Sequence, residues 1–241
     1  MPGGLVMTSR KFDFIIATNA QEDISCETVL SVQNLWLLGY RFLWVMLGVG
    51  GASRTKNVLL TQFYNQQWGE CEKLILLDRD IAFNPEQLGN IVCDLDEYGL
   101  VGGCYTVRDG KFLSSHGFDG VVTMNNEIQA VEWLAFGFTG ITLSFLKNMK
   151  EKLDLPLLHI EEDWAFYPWG EQYRYQHPDG QWMWLSEDYD FCRKAREIGE
   201  HAYLDTRVWV GHIGSRMQVV QDAIAEMQRR EAENGSHSEV S

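Results

Sequence analysis

Short apolar runs alternate with amphipathic stretches along the first third of the chain. Phe12 to Thr18 (FDFIIAT) is apolar almost throughout and ends at turn-forming Asn19, the pattern of a parallel strand buried on both faces. Ser25 to Leu38 reads as a helix, with Ser25 as N-cap and Glu27 or Thr28 in its first turn. Arg41 to Leu47 (RFLWVML) gives a second strand, Gly48 to Ser53 a glycine-rich loop, Lys56 to Gln67 a second helix and Lys73 to Leu77 a third strand. This β-α-β-α-β order predicts an α/β fold with a doubly wound, Rossmann-like, mostly parallel central sheet flanked by helices. Right-handed crossovers then bring the ends of the first and third strands to one edge of the sheet, where such sheets bind ligands.

The second half alternates differently. Gly99 to Tyr105 and Gly120 to Asn125 read as strands, and Val131 to Ser144 as a strand passing into glycine-rich turns. A short helix is expected over Phe145 to Lys152, a capped helix over Ser186 to Gly199 with Glu187 and Asp188 in its first turn, and a last strand over Tyr203 to Gly211. Between them Glu161 to Trp184 is rich in aromatics, Gly and Pro without a period, which predicts a long irregular loop acting as a mobile lid. Its tryptophans Trp164, Trp169, Trp182 and Trp184 suit core packing and the C–H faces of sugar rings alike. Residues 1–11 are expected to be a flexible lead-in, 217–230 a C-terminal helix and 231–241 a disordered tail.

Composition narrows the partners. A chain of 241 residues with 45% hydrophobic content suffices for one larger domain, placed at 12–216. Its formal net charge of -14 argues against nucleic acid and anionic membrane as partners, and an anionic ligand would need a bound divalent cation more than a broad basic patch. Five cysteines without a CxxC pair indicate neither a disulfide framework nor a zinc site. The most apolar stretch, Leu35 to Gly50, is interrupted by Arg41 and is too short for a transmembrane segment, so a cytoplasmic location is expected.

The sharpest local signal is Leu76-Leu77-Asp78-Arg79-Asp80-Ile81, an apolar strand ending in two carboxylates one residue apart. Side chains so spaced share a face of an extended chain, and hard oxygen ligands there suit Mn²⁺ or Mg²⁺ bridging two phosphates. A D-x-D alone is equally a solvated strand end. The wider stretch Ser53 to Pro85 resembles the donor-binding half of GT-A glycosyltransferases, in which a basic residue and Asn open a helix and a D-x-D closes the next strand. Leu185 to Gly214 (LSEDYDFCRKAREIGEHAYLDTRVWVGHIG) resembles that family's Glu-Asp helix start, Asp-preceded strand and terminal His-Gly. Val131 to Gly140 (VEWLAFGFTG) is similar to the segment that lies beneath the transferred sugar.

The resemblance implies a GT-A domain, with 12–85 its nucleotide-binding half and 86–216 an acceptor half carrying a smaller sheet. It implies a nucleotide-diphosphate sugar as donor and a carbohydrate, glycan or glycoconjugate as acceptor. Thr18, Arg54, Lys56, Asn57, Asp78 and Gly137 would contact the donor, and Asp78, Asp80 and His212 the metal. Asp188 would be the general base of an inverting reaction, with Glu187 beside it. Lys56 stands where the pattern often has Arg, so a point charge would replace a planar guanidinium. Taken singly, Glu187 and Asp188 are also ordinary N-terminal helix charges, and His212 an ordinary core histidine.

Two other readings compete. A degenerate domain of the same fold would bind nucleotide or carbohydrate without catalysis. Haloacid-dehalogenase-type phosphohydrolases also use a D-x-D, but theirs follows the first strand and continues with Thr or Val where Ala82 stands here.

Overall fold

A computed structural model describes residues 12–21, 23–108, 110–160, 164–214 and 217–218. The first half folds as its apolar runs predict, through β1 (Phe14–Asn19), α1 (Cys26–Leu37), β2 (Phe42–Leu47), α2 (Ala52–Tyr64), β3 (Lys73–Asp78) and β4 (Ile81–Ala82). Ser25 caps α1 by accepting the Thr28 N–H, as its place before the periodic stretch predicts. Next comes α3 (Pro85–Asp94), which the sequence reading missed. Asn84, Pro85 and Gln87 announce it as a capping box with Pro at the helix start: Asn84 accepts from the Gln87 N–H, and the Gln87 side chain accepts from the Asn84 N–H.

The chain continues through β5 (Leu100–Cys104), β6 (Ile128–Val131), β7 (Phe138–Thr142), α4 (Leu143–Lys152), β8 (Leu158–Ile160), β9 (Trp164–Phe166), β10 (Tyr173–Gln176), β11 (Trp182–Leu185), α5 (Glu187–Glu197), β12 (Ala202–Trp209), β13 (Gly211–Ile213) and β14 (Met217–Gln218). Seven strands form the central sheet in the order β2-β1-β3-β7-β5-β12-β6, with only β7 and β6 running against the rest. Alternation along β1 sends Phe14 and Ile16 to one side of the sheet, where Val32 and Leu35 of α1 and Leu88 and Ile91 of α3 cover them. Ile15 and Ala17 face the other side, beneath Leu59, Leu60 and Phe63 of α2, with α4 and α5 extending that layer.

Four expectations are corrected. No strand forms over 120–125; Val121 there is 62% exposed, and the strand forms instead at β6, which finds a partner edge on β12. Val131 to Ser144, expected as a strand passing into glycine-rich turns, is the end of β6, a crossing segment, β7 and the first residues of α4. Glu161 to Trp184 is not irregular throughout: its described part holds β9, which pairs antiparallel with β8 just before it, and the antiparallel pair of β10 with β11. It is also pinned between them, because Trp169 is fully buried and its indole N–H donates to Thr61. Met217 and Gln218, where a helix was expected to begin, pair with β13; the remainder of that expected helix, the tail and the lead-in lie outside the described residues.

Candidate functional site

Parallel pairing of β1 with β3 sets Asn19 opposite Asp78 at one end of the sheet. The turn that follows is held from two sides. At the start of α1, the Ser25 N–H donates to the Arg79 carbonyl at 2.9 Å, and the buried Thr28 hydroxyl lies 3.0 Å from that carbonyl and 2.8 Å from that of Ile81. From the far end of the chain, β13 pairs with β4 and the Ile213 N–H donates to the Asp80 carbonyl at 2.7 Å, which seats His212 beside Asp80. His212 Nε2 is 3.5 Å from Asp80 Oδ2, and Arg108 reaches the same oxygen at 2.6 Å. Burial opposes charge on Asp80, yet His212 and Arg108 hold its carboxyl below the usual range. Burial likewise disfavours a charged His212, but Asp80 and the Thr106 carbonyl outweigh it and raise its pKa.

The Glu187-Asp188 pair opens α5 behind the Ser186 cap. Asp188 Oδ1 is 2.8 Å from Lys56 Nζ, and its Oδ2 accepts the Phe136 N–H at 3.0 Å. Glu187 takes a 3.3 Å contact from Lys56 and a 2.9 Å hydrogen bond from Gln172. Burial pushes the Asp188 carboxyl up to about 6 despite the pull of Lys56, and the neighbouring Glu187 adds to the rise. For Glu187 burial also opposes charge, but Lys56 and Gln172 win and its pKa is lowered.

A cavity of about 440 Å³ joins these two clusters, bordered by Asp78, Asp80, Lys56, Glu187 and Asp188 together with Asn19, Gln21 and Arg108. The sequence reading missed the last three. Asn19 was within reach, since β1 and β3 end in register and alternation turns Asn19 the way Asp78 turns; its Oδ1 is buried without a hydrogen-bond partner. Thr18, the residue chosen instead, is fully buried, and its hydroxyl accepts the Trp44 indole N–H at 2.9 Å. Arg108 comes from a stretch without period, so no signal marked it. Arg54 borders a separate cleft of about 350 Å³ with Gly50 and Gln172. Asn57 is buried, and both its polar atoms bond the backbone of Gly170, at 2.8 and 3.0 Å. Gly137 sits against Asp78: its carbonyl accepts the Asp78 N–H, and a Cβ there would lie 3.1 Å from Asp78 Oδ2.

The residues at the D-x-D turn fit a divalent cation in part. His212 Nδ1 is 2.7 Å from the Thr106 carbonyl, so in the neutral ring Nδ1–H donates there and the Nε2 lone pair faces Asp80. The Asp80 carboxylate suits Mn²⁺ or Mg²⁺, and the imidazole nitrogen beside it would favour Mn²⁺ of the two. Among the described residues no three His, Cys, Asp or Glu side chains are grouped closely enough to hold a metal ion, so Asp78 does not complete a three-ligand set by itself.

By sequence the chain matches no protein-family model and no curated protein. By structure it is similar to A197 from STIV, with a TM-score of 0.55 over 87% of this chain and 91% of that one, at 14% identity. The two chains share a fold. Identity this low speaks to nothing further. Slighter likenesses are to S. aureus TarS 1–349 in complex with UDP-GlcNAc (TM-score 0.41, 16% identity, 81% of this chain and 56% of that one) and to a glycosyltransferase involved in the glycosylation of the major capsid of PBCV-1 (TM-score 0.31, 14% identity, 57% and 65%). Scores below one half do not establish even a common fold. Among the described residues no helix is long and apolar enough to cross a membrane.

Proposed function

We propose that this protein is a glycosyltransferase that moves a sugar from a nucleotide-diphosphate donor to a carbohydrate, glycan or glycoconjugate acceptor, with inversion at the anomeric carbon. One observation carries the reading: a single cavity is bordered both by Asp78 and Asp80 at the end of β3 and by Glu187 and Asp188 at the start of α5, the two remote blocks that resemble GT-A enzymes. Asp80 and His212 would hold Mn²⁺ or Mg²⁺, which when bound neutralises the diphosphate as it leaves. Asp188, its charge disfavoured by burial, takes the acceptor hydroxyl's proton as that oxygen attacks. Lys56 and the Phe136 N–H fix the carboxylate's direction, and Glu187 shares the lysine.

The test is calorimetry with a panel of nucleoside diphosphates and nucleotide sugars, with Mn²⁺ and with EDTA, on the parent and on Asp80→Ala. Binding that needs the cation and is lost in Asp80→Ala supports the reading. Equal affinity in EDTA removes the metal, and silence across the panel removes the donor class. A second reading, binding without catalysis, draws on the ion pair that already engages Asp188. Release of free sugar from a bound donor by the parent, absent in Asp188→Asn, decides against it.

A further inference from the structure

We propose that Arg108 grips the donor's diphosphate and that, before the cation arrives, Asp80 holds this arginine in reserve. The inference rests on the glycosyltransferase reading and adds to it a phosphate-binding residue that exchanges partners. Four carboxylates, Asp78, Asp80, Glu187 and Asp188, border the main cavity against three cations, Lys56, Arg79 and Arg108. A diphosphate adds negative charge to a wall already acidic, so it needs a cation that can turn toward it.

Lys56 is poorly placed for that role. Its side chain is only 10% exposed, with the ammonium between Asp188 and Glu187, and turning it outward would strand two buried carboxylates. Arg79 also borders the cavity, and its guanidinium donates to the Asp23 carbonyl at 2.9 Å. Arg108 differs from both. Its side chain is 62% exposed while the Asp80 carboxylate it touches is only 13% exposed, and it borders all three cavities that meet around Asp80. An ion pair with one solvated partner is weak and easily exchanged.

The shared atom makes the exchange specific. Arg108 lies 2.6 Å from Asp80 Oδ2, the oxygen that His212 Nε2 faces at 3.5 Å. A cation held by Asp80 and His212 would compete for that oxygen, and Arg108 would then be free to turn to a diphosphate in the same cavity. Its planar guanidinium then meets two phosphate oxygens at once, which a lysine could not do. Arginine and metal would thus be rivals for Asp80 and allies around a bound diphosphate.

This rivalry gives Arg108→Gln opposite effects on two affinities, measured by calorimetry on the full chain. Mn²⁺ alone should bind about fivefold tighter, because no guanidinium competes for Asp80. A nucleoside diphosphate at saturating Mn²⁺ should bind about 10- to 100-fold weaker, with Arg108→Lys in between. Melting temperatures of parent and variants serve as the control for folding. A merely structural arginine would move both affinities the same way; that result, or an unchanged diphosphate affinity, overturns the proposal. If the parent binds no nucleoside diphosphate at any Mn²⁺ concentration, the glycosyltransferase reading itself has failed and this inference falls with it.

Discussion

Lys56 and Asp188 show how one contact sets both charge and direction. The carboxyl of Asp188 is pushed up to about 6 by burial, with Glu187 adding to the rise, even with an ammonium 2.8 Å away. A raised carboxylate is protonated below that value and a competent base above it, so the transfer rate should climb with pH through about 6 and then level. A profile flat from about pH 5 to 7.5 would take the base role from Asp188. Asp188→Asn keeps the side chain's outline but turns its amide nitrogen on one of two donors, so it should melt somewhat lower; transfer should fall about 10²–10⁴-fold while donor affinity persists. Loss of donor affinity instead would place Asp188 with the groups that hold the cation. Lys56→Met removes the opposing charge and should shift the rising limb upward by about 1–3 pH units. None of this coupling was legible in the sequence: Lys56 and Asp188 are 132 residues apart, and nothing in the helix that carries Lys56 says that its ammonium turns toward α5 and not to a ligand.

At the scale of elements, the sequence was readable where burial is simple. β1 and β3 are apolar because both faces are covered, and Ser25 and Ser186 stand at helix starts whose N–H groups need a partner. It was unreadable where a segment takes its shape from distant partners. The stretch around Tyr167 to Gly170 has no period because Thr61 and Asn57 of α2 hold it, through the Tyr167 N–H, the Trp169 indole and both backbone groups of Gly170. Asn57→Ala should therefore act through this clamp. The buried Gly170 N–H loses its partner and the Gly170 carbonyl keeps only the Ser53 hydroxyl at 3.4 Å, so stability should drop by about 1–3 kcal/mol, read from the denaturation midpoint. Protease cutting near Gly170 should speed up in the variant; an unaltered midpoint would mean that the clamp is not what seats the hairpins.

Across the whole molecule, the strand order divides the chain into two contiguous halves. β2, β1 and β3 lie on one side and β7, β5, β12 and β6 on the other, and within the sheet the pairing of β3 with β7 joins them. The cavity lies at the end of this seam, where the Asp78 N–H donates to the Gly137 carbonyl and the Gly137 N–H donates to the buried Tyr105 hydroxyl at 2.7 Å. Tyr105→Phe leaves that N–H without a partner and should cost about 1–3 kcal/mol in thermal unfolding. An unchanged melting temperature would show that something else satisfies it. The same contact constrains how this chain can change over generations. A Cβ at position 137 would lie 2.6 Å from the Tyr105 hydroxyl and 2.8 Å from the ring carbon that bears it, so a side chain becomes tolerable there only after Tyr105 has given way to a smaller residue. Once such a side chain is in place, the tyrosine cannot return, and the two substitutions are open to inheritance in one order and closed in the other.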